Sequence, residues 1–376
     1  ALIMVKQRLA GGELDCFIDK MGDVVVEGAS IGAMTGLRFE PDPTVLGEQG
    51  RVLISAARRV IDEDIQRRVR EITAAPDDVF SIGASRGGAS SGGASRSGAG
   101  GGTGVALCWN GMPVAALGAG DNALSPQISV SRNEFLDGPR REMVRARLSL
   151  WVSHHIERRL GPLFRAKSAE VSGSLRGVVY QLAESLGSAP REDIKVSLDK
   201  LSTSDRKALA KLGVRIGLHS VYFHDLLNAS AIRTRAILAS IYCDACDVPR
   251  RPKPSRAADG ASATVWAMMG FQVVGGRALR VDVLEKFAAL TRKLARSGPF
   301  TPPQQMLSMA GCDAAALVPV LRDLGYRPKE TADGTVFLPK KRRGKRRHDP
   351  RKNQSRASEM DPHSPFAKLR ELALIK

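Results

Sequence analysis

The segment 83–104 constrains the fold of this chain more than any other feature of the sequence. It consists almost entirely of glycine, alanine and serine and carries two arginines, Arg86 and Arg96. Such a composition offers no apolar face to bury, so we expect a solvated, flexible linker. Phosphate contact by the two arginines is the alternative. A phosphate-cradling loop is not expected, because no Lys-Ser or Lys-Thr pair follows and no helix begins there.

The length and composition indicate a folded, basic protein of two or three domains. The chain has 376 residues, 43% of them hydrophobic, which is enough to form packed cores. It has 57 Lys and Arg against 39 Asp and Glu, a formal net charge of +18, which favours polyanionic partners. Aromatic residues make up only 5%, which argues against an RNA-binding sheet that stacks bases on exposed rings.

Anionic membrane surfaces are the rival partner for a basic chain. However, no apolar run approaches the roughly 20 residues that span a bilayer, and no signal peptide is visible. The five cysteines are typical of a reduced, intracellular chain, so we expect a soluble, cytoplasmic protein. The chain begins at Ala1 inside an aliphatic run, without an initiator Met, so we also expect a fragment of a longer protein.

Hydrophobic periodicity predicts a mainly α protein with short β-hairpins, an α+β class built from helical accessory domains. A period near 3.6 over 54–75 indicates a helix, and Asn110-Gly111 is a hairpin-turn dipeptide. A period of two over 214–222 predicts a single strand, and 264–274 is also strand-like. The predicted domains are a helical region (1–82), the linker (83–104), a mostly helical domain (105–247), a Pro/basic linker (248–262), a winged-helix-like domain (263–339) and a basic disordered tail with a short terminal helix (340–376).

The order of elements near the C-terminus predicts a winged helix. A short helix at 304–309 is followed by a helix at 314–324, which Asp313 caps, and by a hairpin at 326–338. Helix, turn, helix and hairpin is the order of that motif. The second helix carries one cation, Arg322, whereas DNA-reading helices present Arg, Lys, Asn or Gln to the groove. We therefore expect this helix to pack against another domain, with phosphate contacts left to the wing and tail.

Two groups of residues are candidates for contact with a nucleic-acid backbone. Arg215 and His219 share the polar face of the predicted strand, while Tyr222 lies on the opposite face and is expected in the core. The alternative there is an ordinary half-exposed strand. The second group is a basic run in the tail, which binds a polyanion or simply keeps the protein soluble. Its members are Lys340, Lys341, Arg342, Arg343, Lys345, Arg346 and Arg347.

Cys243-x-x-Cys246 is the motif whose spacing suits a metal. His219 and His224 precede it, and two His with two Cys form a ligand set that zinc accepts. A lone Cys-x-x-Cys pair is more typical of ordinary reduced cysteines. We therefore assign no metal site and leave zinc as the alternative.

No constellation in the chain predicts catalysis. The acidic run 62–64 lies within a helical pattern, unlike the acidic motif of helicases, which lies at a strand end. His154 and His155 are adjacent, so on a helix one is expected to pack and the other to be exposed. Asp282 with Glu285 three residues later fits an N-terminal capping pattern. We assign no catalytic residue and no cofactor to this chain.

Several short runs, spread over most of the chain after about residue 105, together resemble one family. They are FLDGPR (135–140), LRGVVYQL (175–182), LGVRIG (212–217), VDVLE (281–285), SMAGC (308–312), LGYR (324–327) and SPFA (364–367). In this order they resemble the C-terminal half of alphaproteobacterial helicase-related proteins. These look like bacterial relatives of the mitochondrial degradosome helicase, a superfamily 2 DExH-type ATPase.

The resemblance implies a two-lobed RecA-like motor upstream, with this region helping to form a channel for single-stranded RNA or DNA. No residue here matches the nucleotide-binding loop, the DExH box or the arginine finger, so no RecA-like motor is expected in this chain. ATP and Mg²⁺ are expected only for a parent motor. The alternatives are a stand-alone basic nucleic-acid-binding protein and a scaffold whose tail docks onto an acidic partner.

Overall fold

The structure, a computed structural model, describes residues 15–45, 47–84, 104–130, 133–245, 248–249, 252–331 and 334–339. Across these residues the chain alternates small antiparallel sheets with helices, so the predicted α+β class is confirmed. Within these ranges, every helix is too short or too polar to serve as a transmembrane segment.

The first unit is a four-stranded antiparallel meander followed by a long helix. Its elements are β1 (Cys16–Ile18), β2 (Asp23–Val26), β3 (Ala29–Thr35), β4 (Arg38–Pro41) and α1 (Glu48–Ala74). Val24 and Val26 of β2 are buried, and α1 covers the sheet with an apolar face that includes Ile61 and Ile65. The prediction of a helical region over 1–82 is therefore wrong for 16–41. Strands of three and four residues are too short for a period of two to stand out.

The second unit repeats this arrangement. Its elements are β5 (Phe80–Ala84), β6 (Val105–Trp109), β7 (Met112–Gly118), β8 (Gln127–Ser129) and α2 (Gly138–Arg159). The turn at Asn110 and Gly111 is confirmed, since their φ angles of 47° and 79° suit a tight hairpin. Ala84 of β5 pairs with Val105 of β6. The Gly/Ala/Ser-rich segment thus connects neighbouring strands of one sheet, and its predicted role as a boundary between domains is wrong.

The two units pack together through their helices. Arg140 at the start of α2 donates from Nη1 to Oδ1 of Asp62 on α1 at 2.7 Å. Further along α2, the Trp151 indole N–H donates to the Asp77 carbonyl at 2.9 Å. Asp137 caps α2 by accepting the Arg140 backbone N–H at 2.8 Å. Polar contacts at both ends of α2 therefore set its position on the first unit.

A third sheet follows, surrounded by helices. The helices are α3 (Gly161–Ser168), α4 (Gly173–Glu184), α5 (Lys195–Asp199), α6 (Thr203–Lys211) and α7 (Ala229–Tyr242). The strands β9 (Ser188–Pro190), β10 (Val214–Ile216) and β11 (Ser220–Phe223) are antiparallel in the order β10-β11-β9. The prediction of one strand over 214–222 is therefore wrong. Residues 217–219 form a turn between two strands. The apolar/polar alternation runs through both strands of this hairpin, so the sequence pattern resembles that of one longer strand.

A buried arginine ties this sheet to its neighbours. Arg235 of α7 is fully buried, and its Nε donates to the Met268 carbonyl at 2.7 Å. Its other nitrogens donate to the Ser188 hydroxyl and, at 3.4 Å, to the Leu226 carbonyl. Burial lowers the pKa of this guanidinium to about 9. Neutral oxygens, rather than a carboxylate, therefore receive its hydrogen bonds among the described residues.

The C-terminal part adds a small sheet, four helices and a hairpin. Its elements are β12 (Ser255–Ala257), α8 (Ala263–Met268), β13 (Phe271–Val274), β14 (Arg277–Arg280), α9 (Val281–Arg296), α10 (Gln304–Ala310), α11 (Ala314–Asp323), β15 (Arg327–Thr331) and β16 (Gly334–Leu338). The sheet has the order β12-β14-β13, and β15 pairs with β16. A larger core includes residues from Val24 to Ala278, and a smaller core includes residues from Val274 to Phe337.

Two predictions in this part are corrected. The strand expected over 264–274 is α8 followed by β13, because Ser262 caps a helix by accepting the Val265 N–H and Gly270, with φ of 90°, follows its end. The Pro/basic linker expected over 248–262 contains β12, which pairs with β14. The partner of β12 lies 20 to 24 residues further along the chain, so local composition does not reveal this strand.

The last three helices and the hairpin follow the predicted order. Asp313 caps α11 by accepting the Ala316 N–H at 2.8 Å, as expected. Phe300, between α9 and α10, exchanges two backbone hydrogen bonds with Phe337 of β16. The capping pattern predicted for Asp282 with Glu285 is wrong, since α9 begins without a side-chain cap. Asp282 pairs instead with Arg280, and Glu285 reaches another part of the chain.

Candidate nucleic-acid interface

The turn between β10 and β11 is held by a carboxylate from α9. Glu285 accepts the backbone N–H groups of Leu218, His219 and Ser220 at 2.7, 2.8 and 2.9 Å. Successive N–H groups that point the same way form an anion-binding concavity, and here Glu285 occupies it. A Cβ atom at Gly217 would lie 2.3 Å from the Glu285 carboxyl carbon, so glycine permits this close approach.

Arg191 fixes the other side of the same turn. Its backbone N–H donates to the His219 carbonyl at 2.8 Å, and its Nη1 donates to the Gly217 carbonyl at 2.6 Å. Arg191 directly follows β9, so the sheet itself places it beside the turn. A guanidinium has five N–H donors, and these contacts use only one of them.

A cavity of about 320 Å³ lies between this turn and α9. The turn contributes residues 216–218 and β9 contributes the adjacent Arg191. Helix α9 contributes Glu285, Ala289 and Arg292, whose spacing of four and three residues places them on one helical face. The cavity thus forms where the third sheet, part of the larger core, meets the helix that leads into the smaller core.

Positive side chains outnumber negative ones at this cavity. Among the described residues, no ion pair includes Arg191, Arg215 or Arg292. Arg215 and Arg292 are exposed, whereas the Glu285 carboxylate is already engaged by three N–H groups. Two cations without a carboxylate partner, Arg191 and Arg292, therefore line the cavity together with a single carboxylate whose hydrogen bonds are already made.

His219 lies at the edge of this site and is half-buried. Burial lowers the pKa of its imidazole; the charge of Glu285 opposes that shift, and the charge of Arg292 adds to it. The imidazole is consequently neutral at pH 7 and can donate or accept one hydrogen bond. An anion bound beside it would favour the protonated form.

The two predicted strand residues lie next to residues of the cavity but do not line it, and they do not share a strand face. Arg215 pairs directly with Tyr222 across the hairpin, so these two residues share a face, and His219 lies in the turn. Tyr222 is buried with Leu227 and Val281, and its predicted place in the core is confirmed. The basic run 340–347, including all seven tail residues predicted to contact phosphate, lies outside the described residues.

Three residues of the site were not identified from the sequence: Arg191, Glu285 and Arg292. Arg191 is 26 residues from the turn, and Glu285 is more than 60, so no local spacing connects them. One signal was available on α9, where Glu285, Ala289 and Arg292 recur on one helical face. Because two of the three are charged, that pattern is typical of an ordinary solvated face.

The remaining candidates lie apart from this cavity, and one of them, Cys246, is not among the residues that the structure describes. Among the described residues, no group of three or more His, Cys, Asp or Glu is placed to hold a metal ion. Cys243 contacts the sulfur of Met268 at 3.6 Å, and Cys246 lies outside the described residues. His155 stacks on Trp151 with ring centroids 5.0 Å apart while His154 is exposed, which confirms the predicted division between the two histidines.

Helix α11 packs against the turn between β13 and β14. Asp323 accepts the Gly275 N–H at 2.6 Å, and a Cβ at Gly275 would lie 2.3 Å from the Val320 nitrogen. Leu317, Val320 and Leu321 are buried. The helix expected to occupy the recognition position therefore has part of its surface covered by the preceding sheet.

Comparisons with known proteins give no family for this chain. No protein-family model, no curated protein and no solved structure matches it.

Proposed function

We propose that this chain is the nucleic-acid-binding accessory region of an ATP-dependent, DExH-type helicase and that it contacts the backbone without sequence specificity. The observation that carries the proposal is a pair of arginines, Arg191 and Arg292, that line one cavity and form no ion pair among the described residues, with Arg215 on the adjacent strand β10. Cations that a protein keeps together without counter-ions are suited to phosphate groups.

The C-terminal elements support contact with the backbone rather than with base edges. We propose that 281–338 is a winged-helix-like unit, because three helices, a short strand pairing at Phe300 and a hairpin follow in that order. Its helix α11 carries Arg322 as its only cation and packs on the turn at Gly275. Direct readout needs several donors and acceptors in the groove, which this helix does not offer.

The tail extends the same proposal. Seven Lys and Arg residues between 340 and 347 would neutralise phosphates and release counter-ions, independently of base sequence. About six such contacts would weaken binding roughly a thousandfold between ~50 and ~200 mM salt. Strong salt dependence is thus the signature we expect for this chain.

We further propose that the motor belongs to a separate, upstream RecA-like region in the cytoplasm. The nucleotide-binding loop and DExH motifs are not found in the sequence, so ATP and Mg²⁺ would act on that parent region. The chain described here would hold single-stranded RNA or DNA as the motor moves it.

Fluorescence-anisotropy titration of the full chain with single-stranded RNA and DNA, at two salt concentrations, tests this proposal. Salt-sensitive binding, with no ATP hydrolysis by the same sample, is the expected result. ATP hydrolysis by the purified chain would contradict the accessory role, and absence of binding at low salt would contradict the nucleic-acid function altogether.

A second candidate is a stand-alone nucleic-acid-binding or scaffold protein, favoured by the concentration of charge in the tail. Deletion of 340–352 distinguishes a nucleic-acid-binding protein from a scaffold. If affinity for single strands remains while the salt dependence is reduced, the folded part binds nucleic acid and the tail assists it. If affinity is unchanged at every salt concentration, the tail serves a different, acidic partner.

A further inference from the structure

We propose that the cavity between the β10–β11 turn and α9 is a binding site for one nucleotide unit of a single strand. In it, Arg191 and Arg292 would bind the phosphate. This inference rests on the function proposed above and specifies the part of the nucleic acid that the folded region recognises.

The volume of the cavity suits a ligand larger than a phosphate ion. Small-molecule sites begin at about 300 Å³, and this cavity measures about 320 Å³. This volume lies at the lower end of the range for ligand sites, which favours a single small unit. A phosphate with its attached sugar is a unit of suitable size.

The cavity lining has a cationic part and an apolar part, which suit the phosphate and the sugar or base of a nucleotide. Arg191 and Arg292 supply the cationic part, while Ile216, Leu218 and Ala289 supply an apolar part. Leu218 keeps 41% of its surface exposed at the tip of the turn. A planar guanidinium binds two phosphate oxygens at once, and apolar side chains pack against a sugar or the face of a base.

The acidic residue in the lining does not exclude an anion. Both oxygens of Glu285 accept backbone N–H groups, so its charge is directed into the turn. It thereby holds the three residues that form one wall of the cavity. Glu285 is accordingly a positioning residue, and the two arginines are the groups that would contact the ligand.

The two arginines differ in what their loss would do to the fold. Arg191 donates to the Gly217 carbonyl, so its replacement would also disturb the turn. Arg292 is exposed and makes no hydrogen bond or ion pair with other described residues. Arg292→Ala therefore removes a proposed phosphate contact with little effect on stability. Lys293, the next residue on the helix, is also exposed but does not line the cavity, and Lys293→Ala is the matched control.

The test is an anisotropy titration of the full chain and both variants with a fluorescent single-stranded 12-mer, at several salt concentrations. We expect Arg292→Ala to weaken binding about five- to tenfold and to lower the salt slope by about one contact. Lys293→Ala should change affinity less than about twofold. Thermal unfolding followed by circular dichroism checks that both variants fold.

Competition identifies the unit that the cavity binds. A nucleoside 5′-monophosphate should displace the 12-mer from the wild-type chain at a lower concentration than inorganic phosphate does, and Arg292→Ala should remove that difference. Equal competition by the two compounds would overturn the nucleotide site.

The outcome also separates this inference from the function on which it rests. If the wild-type chain binds single strands and Arg292→Ala behaves like Lys293→Ala, the cavity is not a binding site, although the proposed function stands. If the wild-type chain does not bind at low salt, both fail.

Discussion

Arg68 of the first unit and Arg292 beside the cavity are the same residue type in opposite situations. On α1, Arg68 is buried, donates to Asp64 at 2.6 Å and also donates to the Gly36 carbonyl at 2.9 Å. Beside the cavity, Arg292 is exposed and has no carboxylate partner among the described residues. The hydrogen bonds of Arg68 hold the fold together, whereas the donors of Arg292 remain available to a ligand.

Arginines also hold the fold together where the first unit meets the second. The hydrogen bond from Arg140 lowers the pKa of Asp62, overcoming the opposing effect of partial burial. Arg147 donates to the Ala75 carbonyl and to Asp77 at 2.7 and 2.9 Å. Net charge alone therefore does not distinguish arginines that hold the fold together from arginines whose donors remain available.

The largest expected effect comes from breaking the buried pair on α1. Asp64→Ala leaves the Arg68 guanidinium buried without its carboxylate, and such a loss typically costs about 3–5 kcal/mol of unfolding free energy. Denaturant unfolding measures this change. Glu63→Ala, which removes the exposed partner of Arg59, is the control and should cost no more than about 0.5 kcal/mol. Equal losses in the two variants would show that the buried pair has no special structural role.

A smaller effect is expected at the turn that forms the cavity wall. In Gly217→Ala the new methyl group displaces the Glu285 carboxylate, and the three N–H groups lose their acceptor. We expect a loss of about 1–3 kcal/mol in unfolding free energy. We also expect weaker binding of single strands, because the displaced carboxylate can pair with the neighbouring arginines.

The control for this substitution is Gly177→Ala on α4, where the added methyl group meets no atom within 4 Å. Alanine favours a helix over glycine by about 0.5–1 kcal/mol, so this variant should be slightly more stable than the wild type. If both substitutions stabilise the protein, the Glu285 contacts do not hold the turn.

The smallest expected effect is a pH dependence from His219. Because its folded-state pKa lies below the ordinary value of about 6.5, the unfolded chain takes up the proton first as the pH falls. Unfolding free energy should therefore decrease as the pH falls below about 6.5, and less so in His219→Gln. His155, whose pKa burial also lowers, remains in both proteins, so the difference between them isolates His219.

Binding should respond in the opposite direction. The charged groups that face His219 are Glu285 and Arg292 from α9 and Arg191 beside the turn. A phosphate added to this group favours the imidazolium. Affinity for single strands should consequently rise between pH 7.5 and 6.0, more in the wild type than in His219→Gln. An equal rise in both proteins would place the responsible group elsewhere.

Local signals in the sequence predicted the elements whose structure is determined locally. Asn110-Gly111 forms its turn because both residues accept positive φ, and Asp313 caps α11 because its carboxylate reaches the Ala316 N–H. The long helix α1 is predicted because its apolar period extends over several turns. Short strands such as β1 and β12 were missed, since pairing partners rather than their own few residues specify them.

The candidate site was predicted only in part, for the same reason. Arg215 and His219 were found because the alternating pattern and their polarity are visible within nine residues. Glu285 was assigned to a helix cap, because nothing near it in sequence indicates that its carboxylate crosses to residues 218–220. The cavity that it forms with Arg191 and Arg292 joins three distant parts of the chain.

The sequence by itself thus determined the α+β class, the principal helices, the local turns and caps, and a strong excess of positive charge. Those properties depend on residue type, on periodicity and on contacts between near neighbours. Only the tertiary structure decided that the chain flanking the Gly/Ala/Ser-rich segment forms one sheet, and which arginines lack a counter-ion. Strand pairing and ion pairing join residues that are tens of positions apart, so they arise only when the chain is folded.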